Sequence, residues 1–108
     1  MKLKILAEAA AEFYQLPDLR VKQKPEHSKT TKARHACQWI ACDAGYHRSI
    51  VGKFWGMDRT SIYYACRMVE GRIDTDPSER RELKELLEFV RNRLTKTRQL
   101  SAARKASS

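Results

Sequence analysis

Phe54-Trp55-Gly56-Met57-Asp58-Arg59-Thr60-Ser61-Ile62-Tyr63-Tyr64-Ala65-Cys66-Arg67 decides the fold of this chain. Gly56 suits the stop of a short helix marked by Ile50, Val51 and Phe54, because glycine takes the left-handed conformation without strain. Asp58 suits the start of the next helix. Its carboxylate can accept hydrogen bonds from the unpaired amides of the first turn, and its charge complements the helix dipole. Ile62, Cys66, Val69 and Ile73, with Ala65 alongside, then recur at the spacing of one helix face, which predicts a helix over about 58–73. Arg59, Thr60, Ser61, Tyr63, Tyr64 and Arg67 are left mostly for the other side.

Working outward, Ala33, Ala36, Cys37, Ile40, Ala41 and Ala44 form a narrow stripe of small and apolar side chains that ends at Gly45. Small residues in that pattern imply close helix packing. Leu6, Ala9, Ala10, Phe13 and Tyr14 line the face of a first helix that ends before Pro17. Between them, Leu16 to Thr31 loses the periodicity, contains Pro17 and Pro25, and carries Arg20, Lys22, Lys24 and Lys29 against Asp18 and Glu26, so a basic connecting loop is expected. On the other side, Asp76-Pro77-Ser78-Glu79 opens a last helix: Asp76 can cap, Pro77 fits the first position and Glu79 can reach back to the cap amide. Its apolar face is Leu83, Leu86, Leu87, Val90 and Leu94. No internal repeat or strand-like alternation is present. The expected architecture is all-α, a compact bundle of about five helices over residues 1–94, followed by a basic, disordered tail over 95–108.

The 108 residues suffice for one hydrophobic core, and no apolar run approaches the roughly 20 residues needed to cross a bilayer. No secretory segment is recognisable at Met1 to Glu12, and three cysteines, Cys37, Cys42 and Cys66, make no disulfide framework, so a reducing cytoplasm is expected. Cys37, Cys42, His35 and His47 follow no zinc-finger spacing. Neither metal nor cofactor is expected, and the carboxylates form no paired arrangement suited to catalysis. The net charge of +9 and a pI near 9.8 favour a polyanionic partner, with nucleic acid leading.

Arg48 to Ile73 has the local pattern of a helix-turn-helix, and the residues crowding the second helix's start suit DNA. Free first-turn amides attract phosphate, short hydroxyls at Thr60 and Ser61 let the backbone approach base edges, and Arg59 can bond both acceptors of guanine. Tyr64, one turn on, can pack on a thymine methyl or bond phosphate, and Arg67 follows on the same side. Thr60 and Ser61 are also ordinary first-turn residues beside a cap, and Tyr63 has the spacing of a half-buried core tyrosine.

With this stretch assembled, the chain resembles the C-terminal DNA-binding domain of the bacterial replication initiator DnaA. That family's signature runs as an Ile-Gly pair, Phe, two Gly, Arg, Asp, His, Thr, Thr, Val, then His-Ala-Cys-Arg. This chain keeps Ile50, Phe54, Gly56, Asp58, Thr60, Ala65, Cys66 and Arg67 of it. Ala10 to Leu16 resembles the family's first helix, and Lys32-Ala33-Arg34-His35 its basic loop running into a helix start; the likeness spans roughly residues 5–94. The resemblance implies a helical fold, a major-groove reader at Asp58, Arg59, Thr60, Ser61 and Tyr64, and Arg34 and His35 beside it. Arg59, Ser61 and Tyr64 replace the family's His, second Thr and last His, which implies a different preferred sequence. Lys22, Lys24, Lys29 and Lys32 stand where the family concentrates arginines, which points to phosphate contact at Lys22 and Lys24. No Gly-rich phosphate loop is present, so no ATPase is expected.

The expected partner is double-stranded DNA and no membrane. A stand-alone transcriptional regulator of bacterial or phage origin is favoured, with an accessory protein at replication origins or the nucleoid as its variant. A protein-protein adaptor is the alternative of another class. Its surface would be the acidic last helix, where Asp74, Asp76, Glu79, Glu82, Glu85 and Glu88 gather, and the same helix could meet a second copy of the chain.

Overall fold

A computed structural model describes the backbone of residues 2–16 and 29–107, with side chains as far as Thr95. Within these residues the chain forms α1 (Leu3–Tyr14), α2 (Lys29–Asp43), α3 (Arg48–Trp55), α4 (Arg59–Thr75) and α5 (Pro77–Ser107), and no strand. The all-α bundle expected from the apolar spacing is the fold.

Three of the helices end in the same way. After α3, Met57 N donates to Gly52 O at 2.8 Å and Gly56 N to Lys53 O at 3.3 Å, with Gly56 left-handed at φ 66°. The pattern repeats after α2, where Tyr46 N reaches Ala41 O and Gly45 N reaches Cys42 O, both at 3.1 Å. It repeats again after α1 through Leu16 N to Ala11 O at 2.8 Å and Gln15 N to Glu12 O at 3.1 Å. These pairs satisfy carbonyls that a helix end leaves orphaned. Gln15 adopts its left-handed φ of 57° with a Cβ attached, which costs roughly 1–2 kcal/mol that glycine avoids.

The core is built as the periodicity requires. Leu6, Ala10 and Tyr14 of α1 meet Ala33, Cys37, Ile40 and Ala41 of α2, and Val51, Trp55, Ile62, Val69, Leu86 and Val90 complete it. Alanines on α1 and α2 let these helices approach closely, since little side-chain volume separates the backbones. On α4 the buried residues are Ile62, Ala65 and Val69, with Cys66 and Ile73 half-buried.

Two expectations are corrected at helix boundaries. First, α2 starts at Lys29 inside the expected loop: Thr30 is buried, and Lys32 is held to α5 by Glu79 at 2.7 Å and Glu82 at 3.4 Å, so tertiary contacts extend the helix. Second, α5 does not stop at Leu94: its backbone continues as helix to Ser107. Residues 95–107 contain no Gly or Pro and include three Ala, two Lys and two Arg, so nothing local ends the helix once the apolar face has run out.

The start of α5 differs in one detail. Asp76 caps as expected, its carboxylate accepting from Ser78 N at 2.9 Å and Ser78 Oγ at 2.8 Å. Glu79, however, does not reach back to the cap. Asp76 N donates to Arg72 O at 2.9 Å, and Glu79 pairs with Lys32. Among the described residues no helix is long and apolar enough to cross a membrane.

Candidate nucleic-acid interface

The exposed end of α4 is held in place from behind. A Cβ at Gly52 would lie 2.4 Å from Met57 O and 3.3 Å from Asp58 C and O, so α3 touches the inter-helix turn backbone to backbone. From α2, the fully buried Gln38 sends its Nε2 to Met57 Sδ at 3.5 Å. Asp58 then caps α4, its Oδ1 accepting from Ser61 N at 2.8 Å. Hydrogen bonds from the Ser61 amide and hydroxyl hold the Asp58 carboxyl below the usual carboxylate range, so it stays ionised at neutral pH.

Beyond the cap, α4 presents two rows of side chains at four-residue spacing. Arg59, Tyr63 and Arg67 form one row, and Thr60, Tyr64 and Met68 the other, all solvent-exposed. Tyr64 is 62% exposed and Tyr63 42%, their rings 5.7 Å apart and tilted by 69°. The cationic row faces the start of α3. Arg48 lies 5.2 Å from the centroid of the Tyr63 ring, and an open depression is lined by His47, Arg48, Arg59, Thr60 and Tyr63. His47 caps α3 with its Nδ1 accepting from Ser49 N at 3.1 Å. Arg67 is 4.0 Å from Glu70, too loose and exposed to neutralise it.

Arg59, Thr60, Tyr64 and Arg67 are thus brought together on one exposed face beside Asp58, while Ser61 is half-buried with its amide taken by the cap. No family model matches the chain.

None of the other expected residues that the structure describes joins this face. Lys22 and Lys24 lie outside the described residues. Lys32 is drawn away from any phosphate by Glu79 and Glu82. Burial pulls its pKa down and its bonds to the two carboxylates more than offset that, leaving it above the usual value. Arg34 is buried within α2 at 7% exposure, where the resemblance had implied a reader at a loop end. His35 is half-buried and next to Arg72; burial, then Arg34 and Arg72, bring its pKa down to about 4, so it is neutral at pH 7. Arg72 is 14 residues past Asp58 in α4, about 21 Å along the helix axis at 1.5 Å per residue. His35 and Lys32, which shares a small cavity with Arg72, therefore sit toward the far end of α4. The early start of α2 is the physical cause, because it winds these residues into a packed helix.

Arg48 and His47 were missed at the level of sequence. A usable sign was present: Arg48 opens a helix, where the dipole disfavours a cation. Chemically the face offers cations, hydroxyls and aromatic rings. Among the described residues no group of three His, Cys, Asp or Glu side chains could hold a metal ion. The Cys66 thiol, beside Cys42, is pushed up to about 12 by burial and by that neighbour, which leaves it a poor nucleophile.

Proposed function

We propose that this chain binds double-stranded DNA sequence-specifically, docking α4 in the major groove as the recognition helix of a helix-turn-helix formed with α3. The observation that supports it is the free, capped first turn of α4. Arg59 and Thr60 stand exposed there with Tyr64 one turn on, and Arg48 and Arg67 flank them. Arg59 at the tip is suited to guanine, for roughly 1–3 kcal/mol of discrimination, and Arg48 and Arg67, which line one depression, are placed for phosphates of one wall. The net charge of +9 supplies long-range attraction.

The proposal includes kinship with the DnaA C-terminal module, in a regulator of transcription in a bacterial cytoplasm or nucleoid. An accessory role at replication origins uses the same chemistry. A protein adaptor working through α5 is less well supported, because Glu79 and Glu82 are engaged with Lys32 and Asp76 with Ser78, leaving fewer free carboxylates than the sequence suggested.

Selection of bound sites from a random duplex pool tests the proposal, followed by affinity measured against salt. About seven phosphate contacts give a log-log slope near −6 for duplex DNA. An adaptor enriches no site and loses DNA altogether at physiological salt.

A further inference from the structure

The second row of α4 is unusual for a surface so highly charged. Tyr64 at 62% exposure and Met68 at 49% stand next to each other at four-residue spacing, with Thr60 one turn before them. Among the described residues nothing covers them. The cationic row beside them is continuous with Arg48 at the start of α3, and the depression there takes in Thr60 but neither Tyr64 nor Met68, which leaves those two on the side of α4 turned away from the α3 cations. A helix in the major groove has its sides against the sugar-phosphate walls and its outer face against base edges. Arg48 and Arg67 mark one wall, so the neutral row is the one left for the floor.

Resting on the duplex reading above, we infer that Tyr64 and Met68 form an apolar strip that selects thymine by its C5-methyl group. Thymine alone among the four bases shows a methyl in the major groove, and an apolar side chain is the group that gains by covering it. Tyr64 and Met68 lie about 6 Å apart along the axis, so the strip covers about two successive base pairs at roughly 3.4 Å each. Those pairs lie inward of the one that Arg59 reads at the tip. Tyr64 remains amphipathic: its ring covers the methyl while its hydroxyl reaches a phosphate or base edge. Met68, flexible and polarisable, adapts to the neighbouring step.

The experiment measures binding of the full chain, by fluorescence anisotropy, to its selected duplex and to copies in which single thymines are replaced by deoxyuridine. This replacement removes the methyl and leaves every hydrogen-bonding group. Affinity is expected to fall about fourfold at one or two adjacent positions, the factor corresponding to one buried methylene, and to be unchanged elsewhere. In Met68→Ala and Tyr64→Ala, both exposed and harmless to the fold, the preference for thymine over uracil at those positions should shrink toward unity. Tight, selective duplex binding with thymine and uracil equivalent throughout, or a selected site lacking thymine there, overturns the inference and leaves the duplex proposal standing. Failure to enrich any duplex, or equal binding to single strands, overturns that proposal and takes the inference with it.

Discussion

Two glycines in helices should respond to alanine in opposite directions. Gly71 lies on the exposed side of α4 with nothing within 4 Å of a Cβ built there, so Gly71→Ala gains the intrinsic helix preference of alanine, about 0.5–1 kcal/mol. Gly52 has the same intrinsic preference to gain, but its Cβ would lie 2.4 Å from Met57 O. Ordinary contact begins at 3.4 Å, so the turn must retreat by about 1 Å. The obstructing atom is backbone, already committed through Met57 N to Gly52 O, and cannot swing aside as a flexible side chain could. Overpacking of this kind costs about 1–3 kcal/mol, which outweighs the propensity gain and leaves Gly52→Ala about 1–2 kcal/mol less stable. Thermal melts followed by far-ultraviolet circular dichroism, with urea titration as a check, measure both. For a domain of this size each kcal/mol moves the midpoint by about 4–8 °C, so the two variants should separate clearly on either side of the parent. If Gly52→Ala melted as high as Gly71→Ala, the backbone contact between α3 and the turn would not exist as described.

Arg59→Ala should lose sequence preference at one base pair, by roughly 1–3 kcal/mol, with helicity unchanged; equal preference in variant and parent removes Arg59 from the base-reading set. Gln15→Gly should raise stability by about 1 kcal/mol by relieving the left-handed glutamine, and a lower melting point would mean that the Gln15 side chain supports the fold. For His35 the sign follows from its depressed pKa. The unfolded chain takes up the proton near pH 6.5 and the folded chain only near 4, so its contribution is complete above pH 6.5 and declines as pH falls toward 4. Urea midpoints across that range should drop, and His35→Gln should flatten the drop; an identical slope in both proteins assigns the acid sensitivity elsewhere.

The helices on either side of Gly56 were readable because each local rule points the same way: an apolar stripe at helical spacing, a left-handed glycine and an aspartate cap. Tyr64 and Arg67 were readable for the same reason, since the buried stripe fixes which residues face outward. Lys32, Arg34 and His35 were not. Lys32 is held by Glu79 and Glu82, 47 and 50 positions later in the chain, His35 is packed near Arg72, 37 positions later, and no local pattern announces either pairing. The extent of α5 was misjudged in the opposite sense. An apolar face was used as the marker of its end, although intrinsic preference alone carries the backbone further. Arg48 joins the interface only through the angle at which α3 meets α4, a tertiary quantity.

The cluster of Tyr14, Lys32, Glu79 and Glu82 clasps α1, α2 and α5 together, the Tyr14 hydroxyl donating to Glu82, and Arg93 with Glu12 adds a second clasp between α1 and α5. An N-terminal helix buried along Leu6, Ala10 and Tyr14 and fastened by its last turn to the last helix cannot peel away on its own, although the two are far apart in the chain. Its amides should exchange with solvent only when the whole domain opens, and removal of α1 by a protease should require that same global event.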